Sequence, residues 1–165
     1  MHDTGLPRRE QRLRELGLTT RPDPELDVFA ADLAAALGQP YAMVNLITDA
    51  QHFAGLHTPD PSSPLPPVGR TMSRDHGYCP EVLTRRLPLV LPDVYANPRF
   101  ASNAVVDLIG IRTYAGAPLI TADGVALGTI CVIGTAPSPL ADSRATLALI
   151  KNRRDSLMDL IQRRT

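Results

Sequence analysis

The stretch that most constrains this fold is RTYAGAPLITADGVALGTICVIG, residues 112–134. Two apolar runs flank Asp123-Gly124, and alternation on either side of an Asp-Gly pair is the strongest short-range signal for a β-hairpin. Ile111, Thr113, Ala115, Ala117 and Leu119 alternate onto one face, which Val125, Leu127, Thr129, Cys131 and Ile133 continue beyond the turn. The other face carries Tyr114, Gly116, Pro118 and Ile120, then Ala126, Gly128, Ile130 and Val132. Both faces are largely apolar, so the pair is expected at the centre of a sheet covered on two sides. Pro118 has no N–H to give to a ladder and requires a bulge or a locally free edge. Gly116 and Gly128 leave room for something to approach the backbone. A sheet built this way can floor a pocket.

The rest of the chain supplies the neighbours of this hairpin. Residues 7–17 predict a short charged helix ended by Gly17. Over 25–37, Leu26, Ala30, Leu33 and Leu37 recur at helical spacing until Gly38 and Pro40 stop the helix. Residues 41–48 and 51–57 predict two strands about Asp49-Ala50. The segment TPDPSSPLPPVG, residues 58–69, holds five prolines and predicts a surface loop or lid of polyproline character. A short helix over 74–86 carries Cys79, with Pro80 confined to its first turn. A strand at 87–91, a turn at 97–100 and a short helix around 104–109 lead to the hairpin, and residues 141–164 predict a long helix. Tight turns make neighbouring strands antiparallel, and helices at both chain ends can share one sheet face. The expected class is therefore α+β, not a doubly wound parallel sheet. Residues 1–24 form an N-terminal extension with a short helix, and residues 25–165 form the domain.

At 165 residues the chain is long enough to fill one core without staples. Its formal net charge is zero, which argues against nucleic-acid binding, because affinity for phosphates needs an excess of basic groups. No apolar run approaches the roughly 20 residues that span a bilayer, and the charged N-terminus lacks the apolar core of a secretory signal. Two cysteines, Cys79 and Cys131, make no disulfide framework. A cytoplasmic protein without membrane contact is expected.

Four stretches resemble the GAF domains of bacterial signalling proteins: PYAMVNLITD (40–49), GYCPEVLTRRLPLVLPDVYANPRF (77–100), IRTYAGAPL (111–119) and DGVALGTICVIG (123–134). The resemblance extends over about residues 8–163. It implies a GAF/PAS-like antiparallel sheet with N- and C-terminal helices on one face and pocket-forming loops and short helices on the other. It also implies a sensory or regulatory role in signal transduction, through a small-molecule ligand or a signalling partner, and a homodimer through the terminal helices. Three departures narrow it. The Asn-Lys…Phe…Asp-Glu signature of cyclic-nucleotide-binding members is missing. Pro80 follows Cys79 where chromophore-attaching members carry Cys-His, and the cysteine pattern of GAF-type free-methionine sulfoxide reductases is incomplete. The scaffold names no cofactor and no ligand.

His76 and Cys79 lie three apart, with Asp75 beside them and Glu81 beyond. Such a pair can make a thiolate nucleophile or begin a metal site. A zinc site needs about four ligands, and His52 and His57, five apart on one strand, fall on opposite faces by period two. No metal and no catalytic residue is expected, so the chain reads as a non-enzyme. Two alternatives stay open: a thiol-based redox sensor or small redox enzyme using Cys79, and a dimerisation module without ligand. The redox alternative needs Cys79 and Cys131 within disulfide reach, which sequence does not establish. The candidate ligand-binding set is Phe53, Tyr78, Phe100 and Tyr114 as aromatic anchors, Asp75, His76, Asp93, Arg112 and Thr129 as polar groups, and the two cysteines, Cys79 and Cys131. Tyr114, Thr129 and Cys79 are expected to line one cavity beneath the proline-rich loop; the competing reading is ordinary core and a surface ion pair. On the last helix, Leu147, Ile150, Leu157 and Ile161 approach a heptad seam, with Leu149, Met158 and Leu160 widening it, so one face is expected to cover the sheet and another to meet a second copy.

Overall fold

In the computed structural model, which describes residues 3–138 and 142–164, six strands form one sheet: β1 (Tyr41–Ile47), β2 (Gln51–His57), β3 (Thr71–Met72), β4 (Leu89–Leu91), β5 (Thr113–Ile120) and β6 (Ala126–Gly134). Their order is β3-β2-β1-β6-β5-β4, and each pairing is antiparallel. The predicted hairpin, β5–β6, is central, and Gly124 turns it with φ at 90°. Helices α1 (Leu6–Glu15), α2 (Pro24–Leu37) and α6 (Ser143–Arg163) cover one face, and the short helices α3 (Cys79–Arg85), α4 (Pro98–Ala101) and α5 (Ala104–Ile109) lie over the other. The α+β expectation holds. Among the described residues, no helix is long and apolar enough to cross a membrane.

Local chemistry explains the helix layer. Asp23 caps α2 by accepting from the Glu25 and Leu26 amides, Pro24 occupies the first turn, and Gly38 closes the helix at φ 65°. The helix sits directly on β2, where a Cβ at Gly55 would lie 2.5 Å from the Leu26 carbonyl oxygen. Leu13 and Leu18 join the same core, and the buried Arg9 donates to the Ala126 carbonyl at 2.7 Å. On α6, Ile150, Leu157 and Ile161 are wholly buried against the sheet, and Leu147, Met158 and Leu160 pack on the same cluster. The predicted seam is thus spent inside the protomer, and only Leu149 of that set is exposed. The first residue of the predicted helix, 141, lies outside the described residues.

Two bulges change which side chains share a face. Leu119 pairs with Gly128 and Ile120 with Ala126, which leaves Leu127 as an extra residue in β6. Such an insertion resets the alternation. Val125 and Leu127 enter the helix-side core with Ile130 and Val132, whereas Cys131 and Ile133 belong to the opposite core. Ile111, which precedes β5, also joins the opposite core. The expected single face from Val125 to Ile133 is therefore wrong. In β2, Val44 pairs with Gly55 and Asn45 with Phe53, so Ala54 is extra. His52 and His57 then register with Leu46 and Ala42, both in the helix-side core. The two histidines share a face, contrary to the period-two expectation. Pro118 sits where it does no harm, because β4 pairs only with Tyr114, Ala115 and Gly116 and leaves the edge beyond them free.

Candidate functional site

The sheet face opposite the long helices carries a polar spot in an apolar setting. Asn45 is wholly buried in β1, beside Thr129 of β6 and Phe53 of β2. Its Nδ2 donates to Gln51 Oε1 at 2.8 Å, and Gln51 Nε2 donates to the Ser73 and His76 carbonyls at 2.7 Å each. This relay ties the sheet to the segment that leads into α3. Cys79 begins that helix, and Pro80 follows in the first turn, where a missing N–H costs no hydrogen bond. Cys79 Sγ lies 3.1 Å from Tyr114 Oη. Tyr114 reaches it by folding over Gly116, where a Cβ would collide with the tyrosine ring and hydroxyl. Gly128 likewise admits the Asn45 carbonyl. Tyr78 packs edge-on to Phe100 and Tyr114, with centroids 5.6 and 5.3 Å apart, and donates from Oη to the Phe100 carbonyl at 2.7 Å.

These groups surround a small crevice whose walls include Met43, Phe53, Met72, Tyr78, Tyr114 and both cysteines. Burial resists ionisation of Cys79, but hydrogen bonding with Cys131, Thr129, Tyr114 and Asn45 outweighs it and holds the thiol below its ordinary range. Cys131 is pushed well above its own, by its hydrogen bond to Cys79 and by burial. Burial, with the charge of the thiol pair, also raises Tyr114 far beyond the phenol range, and burial raises Tyr78 to about 12. Both cysteines are free, and Cys131 Sγ rests 3.5 Å from Met43 Sδ. Asn45 Oδ1 and Thr129 Oγ1 are buried without a well-formed hydrogen bond. Among the described residues no cluster of His, Cys, Asp and Glu is arranged to hold a metal.

Of the candidate residues, Phe53, Tyr78, Cys79, Tyr114 and Cys131 come together on the crevice wall. Thr129 stands behind Cys79, and Phe100 supports Tyr78 without lining the space. Asp75 is exposed, and His76 gives Gln51 its backbone carbonyl while its imidazole lines none of the crevice. Asp93 and Arg112 pair with each other at 3.1 Å, and the guanidinium stacks 4.3 Å above the Tyr95 ring. That is the surface ion pair of the competing reading. The proline-rich segment is held by the Tyr41 hydroxyl, which donates to the Pro66 carbonyl, but residues 58–69 contribute nothing to the crevice wall. Met72, Gly77 and Tyr78 provide its roof instead. Asn45, Gln51, Met43 and Met72 were not among the candidates. The one signal for Asn45 is an amide set inside the apolar run YAMVNLI.

A family model for the GAF domain matches residues 21–152. A cyclic di-GMP phosphodiesterase of Pseudomonas aeruginosa is 33% identical over 140 residues, covering 81% of this chain and 22% of that protein. The chain thus spans about a fifth of that relative's length. Among solved structures, the GAF domain of an Acinetobacter phosphoenolpyruvate-protein phosphotransferase superposes with a TM-score of 0.64 at 15% identity, over 99% of this chain and 96% of that one. A free methionine-R-sulfoxide reductase of Neisseria meningitidis in complex with its substrate superposes with a TM-score of 0.58 at 18% identity, over 100% and 96%. At such identities the structural likenesses establish the fold alone.

Proposed function

The chain belongs to the GAF domain family, and on that premise we propose that it is a sensory domain which binds a small molecule in this crevice and passes its occupancy to the terminal helices. The observation that carries the proposal is the buried, unpartnered Asn45 Oδ1 behind a mostly apolar wall. A buried polar atom left unpaired costs about 1–3 kcal/mol, and in native proteins it asks for a water, an ion or a ligand. A concave, mostly apolar space with a few polar groups is the usual form of a small-molecule site.

A route to the helices begins at the roof. Between the two carbonyls held by Gln51 stands Arg74, which donates to Thr48 O at 3.0 Å and to Asp3 Oδ2 at 2.8 Å. Asp3 also receives Arg9 of α1 at 2.7 Å. A ligand that lifts the roof therefore pulls on the start of α1. A signalling partner and a second copy of the chain would read that movement. The Pseudomonas relative, named for cyclic di-GMP phosphodiesterase activity, supports a place in signalling. No turnover is assigned here, because Cys79 meets neither a histidine base nor a cation on the crevice wall. The free thiols suit a reducing, cytoplasmic setting.

A second reading, a thiol redox sensor, is favoured by one observation: the only two cysteines of the chain share this crevice. Native mass spectrometry tests the first reading. The protein as purified from cells is expected to carry a small molecule that leaves on denaturation. A bare chain, with no thermal shift from any compound of a small-molecule library, refutes ligand sensing.

A further inference from the structure

The crevice under α3 has room for about one water. Its wall holds the only two cysteines of the chain and, among the described residues, no charged side chain. Three reactive groups converge there from separate elements. Cys79 opens α3, and its Sγ lies 3.1 Å from Tyr114 Oη. Tyr114 folds back over Gly116, where an added Cβ would stand against its hydroxyl, and Gly116 is the register partner of Cys131. The two thiols are hydrogen-bonded to each other. Burial keeps the Tyr114 hydroxyl protonated, so it can donate to a sulfur anion. Against burial, hydrogen bonding favours that anion on Cys79, while Cys131 stays a thiol. Met72 and Gly77 of the roof are part-exposed, so the way in from solvent is short.

We propose that Cys79 and Cys131 are a thiol pair oxidised by hydrogen peroxide, which the crevice admits because it is uncharged and scarcely larger than water. The inference rests on the thiol-sensor reading and names its oxidant. The Cys79 sulfur attacks one peroxide oxygen. An S–O bond forms as the O–O bond breaks, and the departing hydroxide takes the thiol's proton and leaves as water. The Cys131 sulfur then attacks Cys79. An S–S bond forms as the S–O bond breaks, and the second hydroxyl leaves as water with the Cys131 proton. Two thiols and one peroxide thus become one disulfide and two waters, with two electrons passing from sulfur to oxygen. The new bond staples the start of α3 to the central hairpin. Organic hydroperoxides fail on bulk, and anionic oxidants fail on charge. The wall carries neither a histidine nor a cation, so the event is one oxidation per chain and not a turnover.

Intact-mass spectrometry of the full, reduced chain follows the reaction. Hydrogen peroxide is expected to remove two hydrogens. Beyond the intrinsic difference between the two peroxides, tert-butyl hydroperoxide should react at least about tenfold more slowly, as steric crowding at a packed site raises a barrier. The chain unfolded in urea, where both thiols are open, supplies that intrinsic difference. In Cys131→Ser the reaction should stop at one added oxygen, which peptide mapping places on Cys79 and not on Met43 or Met72. In Cys79→Ser, Cys131 should remain a thiol. Urea midpoints check the fold of both variants, and the wild-type comparison of peroxides stands without them. A preference in the folded chain no greater than in the unfolded one overturns the size selection. Oxygen found first on Cys131 overturns the assigned roles. A disulfide formed by diamide and not by hydrogen peroxide overturns the peroxide inference and leaves the thiol-sensor reading in place. No disulfide with either oxidant removes both.

Discussion

At Gly128 an added methyl group would strike the backbone carbonyl of Asn45, and at Gly116 it would strike the ring of Tyr114. The first obstacle is the main chain of a paired strand and cannot yield; the second is a side chain packed against Tyr78. Gly128→Ala is therefore expected to lower stability by about 1–3 kcal/mol in urea denaturation, as overpacking does. Gly116→Ala should instead move Tyr114 Oη away from Cys79 at smaller cost. The thiols offer a direct reading of that contact. Burial opposes the Cys79 thiolate, yet its hydrogen-bonding neighbours hold the group below the ordinary thiol range, while Cys131 is held above it. Iodoacetamide at neutral pH should label Cys79 ahead of Cys131, and Tyr114→Phe should slow that labelling. Equal labelling of both cysteines would contradict the assigned order of acidity. Under the redox reading, mild hydroperoxide should also remove two hydrogens from the intact chain as a Cys79–Cys131 disulfide forms, and Cys131→Ser should abolish the change.

At the scale of elements, α1 is attached through charge as well as through the buried Leu13. Asp3 bridges Arg9 of α1 and Arg74 of the crevice roof, and Arg12 pairs with Asp123 at the hairpin tip. Arg86, just past α3, donates to the Gly124 carbonyl of the same tip at 2.9 Å. Burial disfavours the Asp3 carboxylate, but hydrogen bonds and charge from the two arginines prevail and bring its pKa from 3.8 down to about 2. A carboxylate depressed on folding adds stability that is complete above its unfolded value and disappears as pH falls through the folded one. Wild-type stability should thus decline between pH 4 and about pH 2 partly through Asp3. Asp3→Asn should remove that component and cost about 1.5–3 kcal/mol at pH 7, the range for hydrogen bonds to charged groups. Urea midpoints across this range measure both. An identical acid slope in wild type and variant would show that the bridge contributes nothing to it. At the start of α2, Asp23→Ala removes the helix cap and should cost about 1 kcal/mol. The same change releases Arg164 near the end of α6, whose guanidinium lies 2.7 Å from the Asp23 carboxylate.

For the molecule as a whole, the stripe once expected to join two copies is committed to the protomer's own core. Leu157 is fully buried, so Leu157→Glu would unfold the chain and cannot test association, while Leu157→Ala should cost about 2–5 kcal/mol. Among the described residues, the large apolar side chains left exposed on the terminal helices are Val28 and Leu149. A homodimer through these helices, if it carries the signal, must use that outer surface. Sedimentation equilibrium should then find twice the 17.8 kDa chain mass, and Leu149→Glu should return it to the single chain without lowering the melting temperature. A wild-type chain that sediments alone at micromolar concentration removes the dimer from the proposal.

The sequence by itself determined what depends on neighbours along the chain. The Asp-Gly turn, the helical spacing of Leu26, Ala30 and Leu33, and the stops at Gly38 and Gly110 act over a few residues, and they predicted the hairpin, the helices and the α+β class. Motifs within single segments were enough to bring out the family resemblance. Tertiary structure alone decided which side chains meet. One extra residue at Ala54 and another at Leu127 shift the two-residue phase of a strand, and no local pattern announces them. The same holds for partners far apart in sequence. Asp93 and Arg112 had the chemistry of a pocket edge and found each other instead. Asn45 looked like one polar residue in a core strand until packing set it beside Gln51, Thr129 and Cys79. Burial and hydrogen-bond satisfaction are properties of the assembled layers, so the chemistry of the crevice emerges only when α3 closes over the sheet.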